Sequence, residues 1–181
     1  ASAPDKMLPT IRSRCSKVYF GPLPVELVAG RLQKERKLDP QTAQLAAVMA
    51  GGSLGRALAL DLDALAARKD VISGFEALQP GEVGAMLRWA ETFGASREVA
   101  EQALSILSMW TRDVSLAKAG VERLANQDML PLAQEVAART HETVLHRRHA
   151  LLEKTKATIV ERNASPRLQL ERMLIELLEG R

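Results

Sequence analysis

The chain has 181 residues, of which 46% are apolar and 26% charged, the ordinary balance of a soluble globular protein. Its net charge of +3 permits contact with nucleic acid but does not require it. The single cysteine, Cys15, excludes an internal disulfide and a cysteine-based zinc site. No apolar run approaches the roughly 18 residues of a membrane span, and no signal peptide is evident, so we expect a cytoplasmic protein without a membrane partner.

The N-terminal segment predicts the end of a domain and not a domain of its own. Residues 16–20 read Ser-Lys-Val-Tyr-Phe, which is the one convincing strand pattern in the chain. Because a single strand is not stable alone, it implies a sheet that this sequence does not supply. We therefore expect residues 1–20 to be the tail of a preceding domain, ended by Gly-Pro-Leu-Pro at 21–24.

Three predicted helices follow in residues 21–78 and form a small unit. They cover about 24–36, 40–50 and 54–69. Asp39 before Pro40 and Ser53 after a glycine pair are typical N-caps of the second and third helices.

Longer helices are predicted in residues 79–181, after the Gln-Pro-Gly break at 79–81. We expect helices over about 81–93, 97–118, 128–162 and 166–178, with a possible interruption of the third near 129–131. Their sustained helical period predicts a bundle, so the whole chain is expected to be all-α with two units.

No catalytic constellation is present in the sequence. There is no phosphate-binding loop ending in Lys-Ser or Lys-Thr. The glycine-rich stretch 51–55 has no strand before it and no lysine after it, so it reads as a helix end followed by an N-cap. We expect the chain by itself to bind no cofactor and catalyse no reaction.

Two arginine motifs are the strongest candidates for chemistry. Residues 8–15 read Leu-Pro-Thr-Ile-Arg-Ser-Arg-Cys, and residues 52–58 read Gly-Ser-Leu-Gly-Arg-Ala-Leu. An arginine on a firm element beside a nucleotide can stabilise charge on a transferred phosphoryl group. Taken singly, each arginine fits a solvated surface residue equally well.

The order of these motifs resembles the bacterial DNA polymerase III clamp-loader family of AAA+ proteins, at the junction of ATPase domain and lid. Residues 163–171, Asn-Ala-Ser-Pro-Arg-Leu-Gln-Leu-Glu, are similar to the start of the family's last collar helix. The resemblance covers essentially the whole chain. It implies that residues 1–20 end the ATPase domain, 21–78 form a three-helix lid and 79–181 form a helical collar bundle.

The resemblance also implies roles for two arginines. In the motif Ser13-Arg14-Cys15, Arg14 matches the arginine finger that reaches into a neighbouring subunit's ATP site. Arg56 matches the sensor 2 arginine, which contacts bound phosphates in the subunits that bind ATP.

The Gly-Arg-Ala-Leu at 55–58 resembles the delta-prime branch, whereas gamma/tau more often has Arg-Asp-Ala-Leu. A delta-prime subunit typically has no working ATP site, which would leave Arg56 structural. The implied function is replicative loading of the sliding clamp onto primed DNA within the polymerase holoenzyme. The implied partners are the gamma/tau and delta subunits. A gamma/tau fragment and a stand-alone helical adaptor remain the alternatives.

Other polar patterns are interpreted as structural. Two acidic residues and two histidines share one helical face: Glu142, His146, His149 and Glu153. This spacing suits either a metal site or a solvated surface with charged pairs, and we predict the solvated surface without a metal. Six basic residues in the stretch 139–162 are expected to be solvated surface, with a weak DNA-facing role as the alternative: Arg139, Arg147, Arg148, Lys154, Lys156 and Arg162. Trp89 and Trp110 are predicted to pack in the core.

Overall fold

The structure is a computed structural model that describes residues 8, 10, 13–14, 21–60 and 62–179. Cys15 and the predicted strand at 16–20 lie outside these residues. Every regular element in the described ranges is helical, which confirms the all-α prediction.

The first unit consists of helices α1 (Val25–Arg36), α2 (Pro40–Met49) and the short α3 (Leu54–Leu58). The Asp39 side chain accepts hydrogen bonds from the backbone N–H groups of residues 41 and 42, at 3.0 and 3.1 Å, and so starts α2 as predicted. The α1 side chains Val28 and Leu32 are fully buried against α2, in a small core that is otherwise mostly alanine.

The predicted third helix, 54–69, is wrong as a single element. Helix α3 ends at Leu58, and a separate helix α4 covers Leu62–Glu76. The Arg36 guanidinium donates to the carbonyl oxygen of Leu60 at 2.6 Å, between the two helices. Leucines continue across the break at positions 58, 60, 62 and 65, so the apolar pattern hides it.

The second unit contains α5 (Val83–Phe93), α6 (Arg97–Lys118), a 3₁₀ turn (Gln127–Met129), α7 (Leu130–Arg139), α8 (Glu142–Arg162) and α9 (Pro166–Glu179). The predicted helix 128–162 is two helices. Pro131 does not interrupt it, because it lies in the first turn of α7, where no helical N–H is needed. The break comes instead at Thr140, whose backbone is extended, and at His141, whose side chain caps α8.

Helix α6 is the centre of the second unit. It packs against α4, α5, α7, α8 and α9. Its side chains Leu104, Leu107, Trp110 and Val114 are fully buried. This apolar face was predicted from its period, and the structure confirms both ends of the helix, Arg97 and Lys118.

Cationic side chains from neighbouring helices close several helix C-termini. Lys118 donates to the carbonyl oxygen of Ala137 at 3.0 Å, at the end of α7, and Arg147 donates to that of Glu176 at 3.1 Å, near the end of α9. Arg97 likewise binds the Val160 carbonyl near the end of α8. Since the last carbonyls of a helix have no intrahelical partner and carry partial negative charge, these contacts stabilise the ends of the bundle.

Helix α4 belongs to both hydrophobic clusters. Leu65, in its first half, packs with α1–α3, whereas Val71, Ile72 and Phe75 pack with α5–α9. The sequence placed a domain boundary at residue 78, and that division stays a prediction. The change from one cluster to the other occurs inside α4.

A truncation series tests the role of α4. We expect the fragment 62–179 to unfold cooperatively on heating and the fragment 80–179 to lose the cooperative transition or melt roughly 10 °C or more lower. The shorter fragment lacks Val71, Ile72 and Phe75, and burial of each such side chain contributes about 1.5–3 kcal/mol. Circular dichroism at 222 nm during a thermal ramp makes the measurement. Equal melting temperatures would contradict the assignment of α4 to the bundle core.

Candidate functional site

A glycine pair shapes the turn that precedes the Arg56 motif. Gly51 and Gly52 have φ angles of +57° and +77°, which residues other than glycine rarely adopt. A Cβ on Gly52 would lie only 2.4 Å from the Cβ of Pro22, and the Leu23 N–H donates to the Gly52 carbonyl oxygen at 2.9 Å. The segment that enters α1 is therefore held against the turn that opens α3.

Arg56 lies on α3 and is exposed. The Ser53 hydroxyl caps this helix by accepting from the Arg56 backbone N–H at 3.3 Å, as the sequence predicted. Its guanidinium Nη2 lies 3.2 Å from where a Cβ on Gly51 would stand, so the side chain lies back over the glycine turn. No carboxylate in the described part of the chain pairs with it, which leaves its donors available to an anion.

Arg14 is exposed and lies in a turn in which the Ser13 hydroxyl donates to the Thr10 carbonyl oxygen at 3.1 Å. It also makes no ion pair with a described residue. Cys15, the third residue of the motif, is outside the described ranges. The structure thus places Arg14 and Arg56 on separate segments, both as exposed guanidinium groups.

Glu76, at the end of α4, is a buried carboxylate that binds two other helices closely. Its Oε1 accepts from Arg148 Nη1 on α8 at 2.7 Å and from Trp110 Nε1 on α6 at 2.9 Å. The side chains of Glu76 and Arg148 are only 8% and 6% exposed. The Arg148 guanidinium also lies 5.1 Å from the centroid of the Phe75 ring, a cation–π distance. This cluster fixes α4 against the bundle.

A second buried network holds the first half of α4. Asp113 on α6, 1% exposed, accepts from the backbone N–H groups of Ala125 and Asn126 and from the Asn126 side-chain amide, at 2.7–3.0 Å. The Asn126 side-chain oxygen accepts in turn from Arg68 Nε at 3.2 Å. Arg68 also pairs with Asp128. A continuous polar chain therefore connects α6, the 3₁₀ turn and α4.

Asp128 has a pKa below its ordinary value near 3.8. Partial burial raises this pKa, but the hydrogen bonds and charges of Lys69 and Arg68 lower it by more. Lys69 Nζ lies 2.9 Å from Asp128 Oδ2. The folded protein consequently stabilises the ionised carboxylate.

The sequence analysis missed Glu76 and Asp113, although a signal was present. Both are acidic residues at core positions of an apolar helix face, Asp113 three residues after Trp110 and Glu76 four after Ile72. A carboxylate at such a position requires a buried partner. The interpretation of Arg148 as wetted surface is wrong for the same reason, because it is the buried partner of Glu76.

Both carboxylates on the histidine face of α8 contact other side chains. His146 Nε2 lies 3.6 Å from Glu142 Oε1 in an exposed pair, and Glu153 accepts from the Ser108 hydroxyl on α6 at 2.6 Å. The described residues contain no group of three or more potential ligands suited to a metal ion.

Both tryptophans are core residues, as predicted, with Trp89 5% and Trp110 0% exposed.

Among the helices described, none is long and apolar enough to cross a bilayer.

Comparison with known protein families identifies the bundle. The family model described as DNA polymerase III, delta subunit, C terminal, matches residues 63–179, which is the range from α4 to α9. The chain belongs to this family. It therefore contains the C-terminal domain of a DNA polymerase III clamp-loader subunit, whose implied partners are other clamp-loader subunits. No curated protein sequence matches the chain.

The match does not distinguish a delta-prime clamp-loader subunit from delta or gamma/tau. It begins after both arginine motifs, so the roles of Arg14 and Arg56 stay predictions. It does include both buried networks, from Arg68 and Glu76 on α4 to Arg148 on α8.

Substitution of Glu76 tests the buried ion pair of the clamp-loader domain. We expect Glu76→Gln to lower the free energy of unfolding by about 3–5 kcal/mol, because Arg148 stays buried without a counter-charge. Glu135→Gln is the matched control. That carboxylate also pairs with an arginine, at 3.7 Å from Arg139, but its side chain is 66% exposed, so the change should be below about 1 kcal/mol. Urea denaturation of both variants measures the difference, and equal effects would contradict a structural role for Glu76.

The lowered pKa of Asp128 predicts an acid-dependent contribution to stability. The contribution is fully present above the ordinary pKa near 3.8 and is lost as pH falls through the lower pKa of the folded state, since the unfolded chain takes up the proton first. Wild type should therefore melt above Asp128→Asn at pH 7, and the gap should narrow below about pH 4. Thermal melts at a series of pH values test this, and a gap that does not depend on pH would refute it.

Proposed function

We propose that this clamp-loader domain belongs to a delta-prime subunit, which helps ATP-driven loading of the sliding clamp onto primed DNA in the cytoplasm. The subunit contributes Arg14 as an arginine finger to a neighbouring subunit's ATP site and hydrolyses no ATP at a site of its own. The observation that carries the proposal is an exposed arginine that makes no ion pair with any described residue, in a Ser-Arg turn that precedes the helical unit of a clamp-loader chain.

An arginine finger must extend from its own subunit into the neighbour's ATP site, so its guanidinium must not be held by a carboxylate of its own chain. Arg14 meets this requirement because it pairs with no carboxylate in the described ranges. A guanidinium is always charged near neutral pH and offers paired N–H donors that match the oxygens of a phosphoryl group.

Arg56 occupies a position similar to sensor 2, but in a delta-prime subunit the site it would serve is inactive. Its side chain lies over Gly51 and has no acidic partner in the described chain. We interpret it as a vestige of a nucleotide site, with a packing role at the glycine turn.

The bundle offers an apolar surface for the collars of neighbouring subunits. Helices α5 and α9 pack against each other and leave four large apolar side chains 40–59% exposed: Val83, Leu87, Leu168 and Ile175. A contiguous exposed apolar patch is typical of a protein interface, and we propose that these four side chains belong to one. The proposed partners there are the gamma/tau and delta subunits.

The family match favours a clamp-loader subunit over the stand-alone helical adaptor. The upstream sequence separates gamma/tau from delta-prime. An intact Gly-x-x-x-x-Gly-Lys-Ser/Thr loop there would indicate gamma/tau, whereas a degraded one would support delta-prime.

Replacement of Arg14 tests the finger directly. In a clamp loader reconstituted with the full-length subunit, Arg14→Ala should lower DNA-stimulated ATP hydrolysis and clamp loading. Arginine fingers supplied in trans contribute about 10³–10⁵ in rate at a single site, and the ensemble loss should be smaller because other sites stay intact. Arg14→Lys should rescue little, because a point charge does not reproduce the planar donor pair. A steady-state ATPase assay gives the measurement.

Arg112→Ala is the matched control, since this α6 arginine is also exposed. Both variants should assemble and melt like wild type. Wild-type ATPase and loading by the Arg14→Ala complex would remove Arg14 from the mechanism.

A further inference from the structure

Helices α8 and α9 lie side by side and leave a small hollow between them, which we call the α8–α9 cleft. Its volume of about 20 Å³ holds one water-sized atom and excludes an organic ligand. The apolar side chains Leu151 and Met173 form a buried floor, and polar side chains form the walls. The cleft can therefore receive a single oxygen atom of a larger, extended ligand.

Two cations stand on opposite sides of this cleft. Lys154 on α8 and Arg172 on α9 both line it, and both are exposed. Neither side chain makes an ion pair or a hydrogen bond with any described residue. The Gln169 side chain, which also lines the cleft, has no hydrogen bond to a described residue either. Lysine, arginine and glutamine are among the side chains that contact phosphate oxygens in protein–DNA complexes.

The carboxylates near the cleft do not neutralise these cations. Glu176 is the one carboxylate among the lining residues, and it makes no ion pair with Lys154 or Arg172. The acidic residues next to the two cations in sequence are engaged elsewhere. Glu153 accepts from a serine hydroxyl on α6 at 2.6 Å, and Glu171 pairs with an arginine of its own helix at 2.9 Å. The cleft therefore has a net positive charge.

The structure sorts the basic residues that the sequence analysis grouped together in the stretch 139–162. Arg148 is buried, Arg139 pairs with two carboxylates, and Lys156 donates to a serine hydroxyl on α6 at 2.8 Å. Lys154 is one of those that stay exposed, and α9 adds Arg172, which the sequence analysis did not consider. The DNA-facing alternative is thereby narrowed to a surface made by two helices.

We propose that the α8–α9 cleft binds the phosphodiester backbone of DNA without reading its sequence. One phosphate oxygen enters the cleft, Lys154 and Arg172 bind the phosphate from its two sides, and the Gln169 amide donates a further hydrogen bond. The inference rests on membership of a DNA polymerase III family and on this geometry, and it does not depend on the delta-prime assignment.

The composition of the cleft favours nucleic acid over an acidic protein. The core of a protein–protein interface is apolar and poor in charge, whereas a protein–DNA interface is more polar and much more positively charged. The exposed walls of the cleft are polar, and its apolar floor is buried under them. The net charge of +3 on the whole chain adds attraction for DNA at longer range.

The test uses the whole 181-residue chain and a fluorescein-labelled DNA duplex, followed by fluorescence anisotropy over a series of salt concentrations. We expect saturable binding of wild type that weakens as salt rises, with a Kd of about 10⁻⁶–10⁻⁴ M near physiological salt. Lys154→Gln/Arg172→Gln should bind at least about tenfold more weakly. The slope of log affinity against log salt should also become shallower by about two, one for each lost phosphate contact.

Lys34→Gln/Arg112→Gln is the matched control, because it removes the same charge from exposed positions on α1 and α6 outside the cleft. It should bind within about twofold of wild type. Lys154→Arg/Arg172→Lys exchanges the two cations and should bind within about threefold, since phosphate contacts depend mainly on charge. All four side chains are exposed, so each variant is expected to fold, and thermal melts verify it.

Three results would overturn the proposal. The first is no anisotropy change up to about 1 mM protein at low salt. The second is an equal loss of affinity and of salt slope in the two double-glutamine variants. The third is displacement of the duplex by polyglutamate of the same total charge at a lower concentration than by unlabelled duplex, which would assign the cleft to an acidic protein. None of these measurements involves ATP, so their outcome is independent of the Arg14 assay.

Discussion

The buried ion pair between Glu76 and Arg148 is the interaction on which the arrangement of this protein depends. Helix α4 is shared by the two hydrophobic clusters, so its position determines where α1–α3 stand relative to the α5–α9 bundle. Hydrophobic contacts alone are tolerant of rotation, whereas a buried charge must meet its partner in one geometry. The carboxylate, the guanidinium and the Trp110 indole therefore define the rotation of α4 against α6 and α8.

A second network holds the same helix about 12 Å away, two turns earlier, where Arg68 meets Asn126. Two fixed points prevent α4 from sliding or turning on the bundle. The protein thus uses arginine in two opposite ways. Arg68 and Arg148 are buried and satisfied and hold the architecture, whereas Arg14 and Arg56 are exposed without an acidic partner among the described residues.

Local sequence signals were sufficient for most of the helices. The caps at Asp39, Ser53 and Ser96 and the proline at 166 mark helix starts because each acts on N–H groups within a few residues. The sequence did not predict the helix breaks after Leu58 and at Thr140. The break after Leu58 involves a contact from Arg36 to Leu60, 24 residues away in sequence. The break at Thr140 separates two helical segments that share one apolar period.

The sequence by itself determined the fold class, the two arginine motifs and their resemblance to the clamp-loader family, because these depend on residue types at short spacing. Only the tertiary structure decided which polar residues are buried. Glu76 and Arg148 are 72 residues apart in the chain and meet only when α4 packs on α8. A cavity of about 460 Å³ arises in the same way, because its lining comes from α4, α7, α8 and α9, which meet only after packing. Neither a charge partner nor a cavity has a local code, since both are created by contacts that the chain makes at long range.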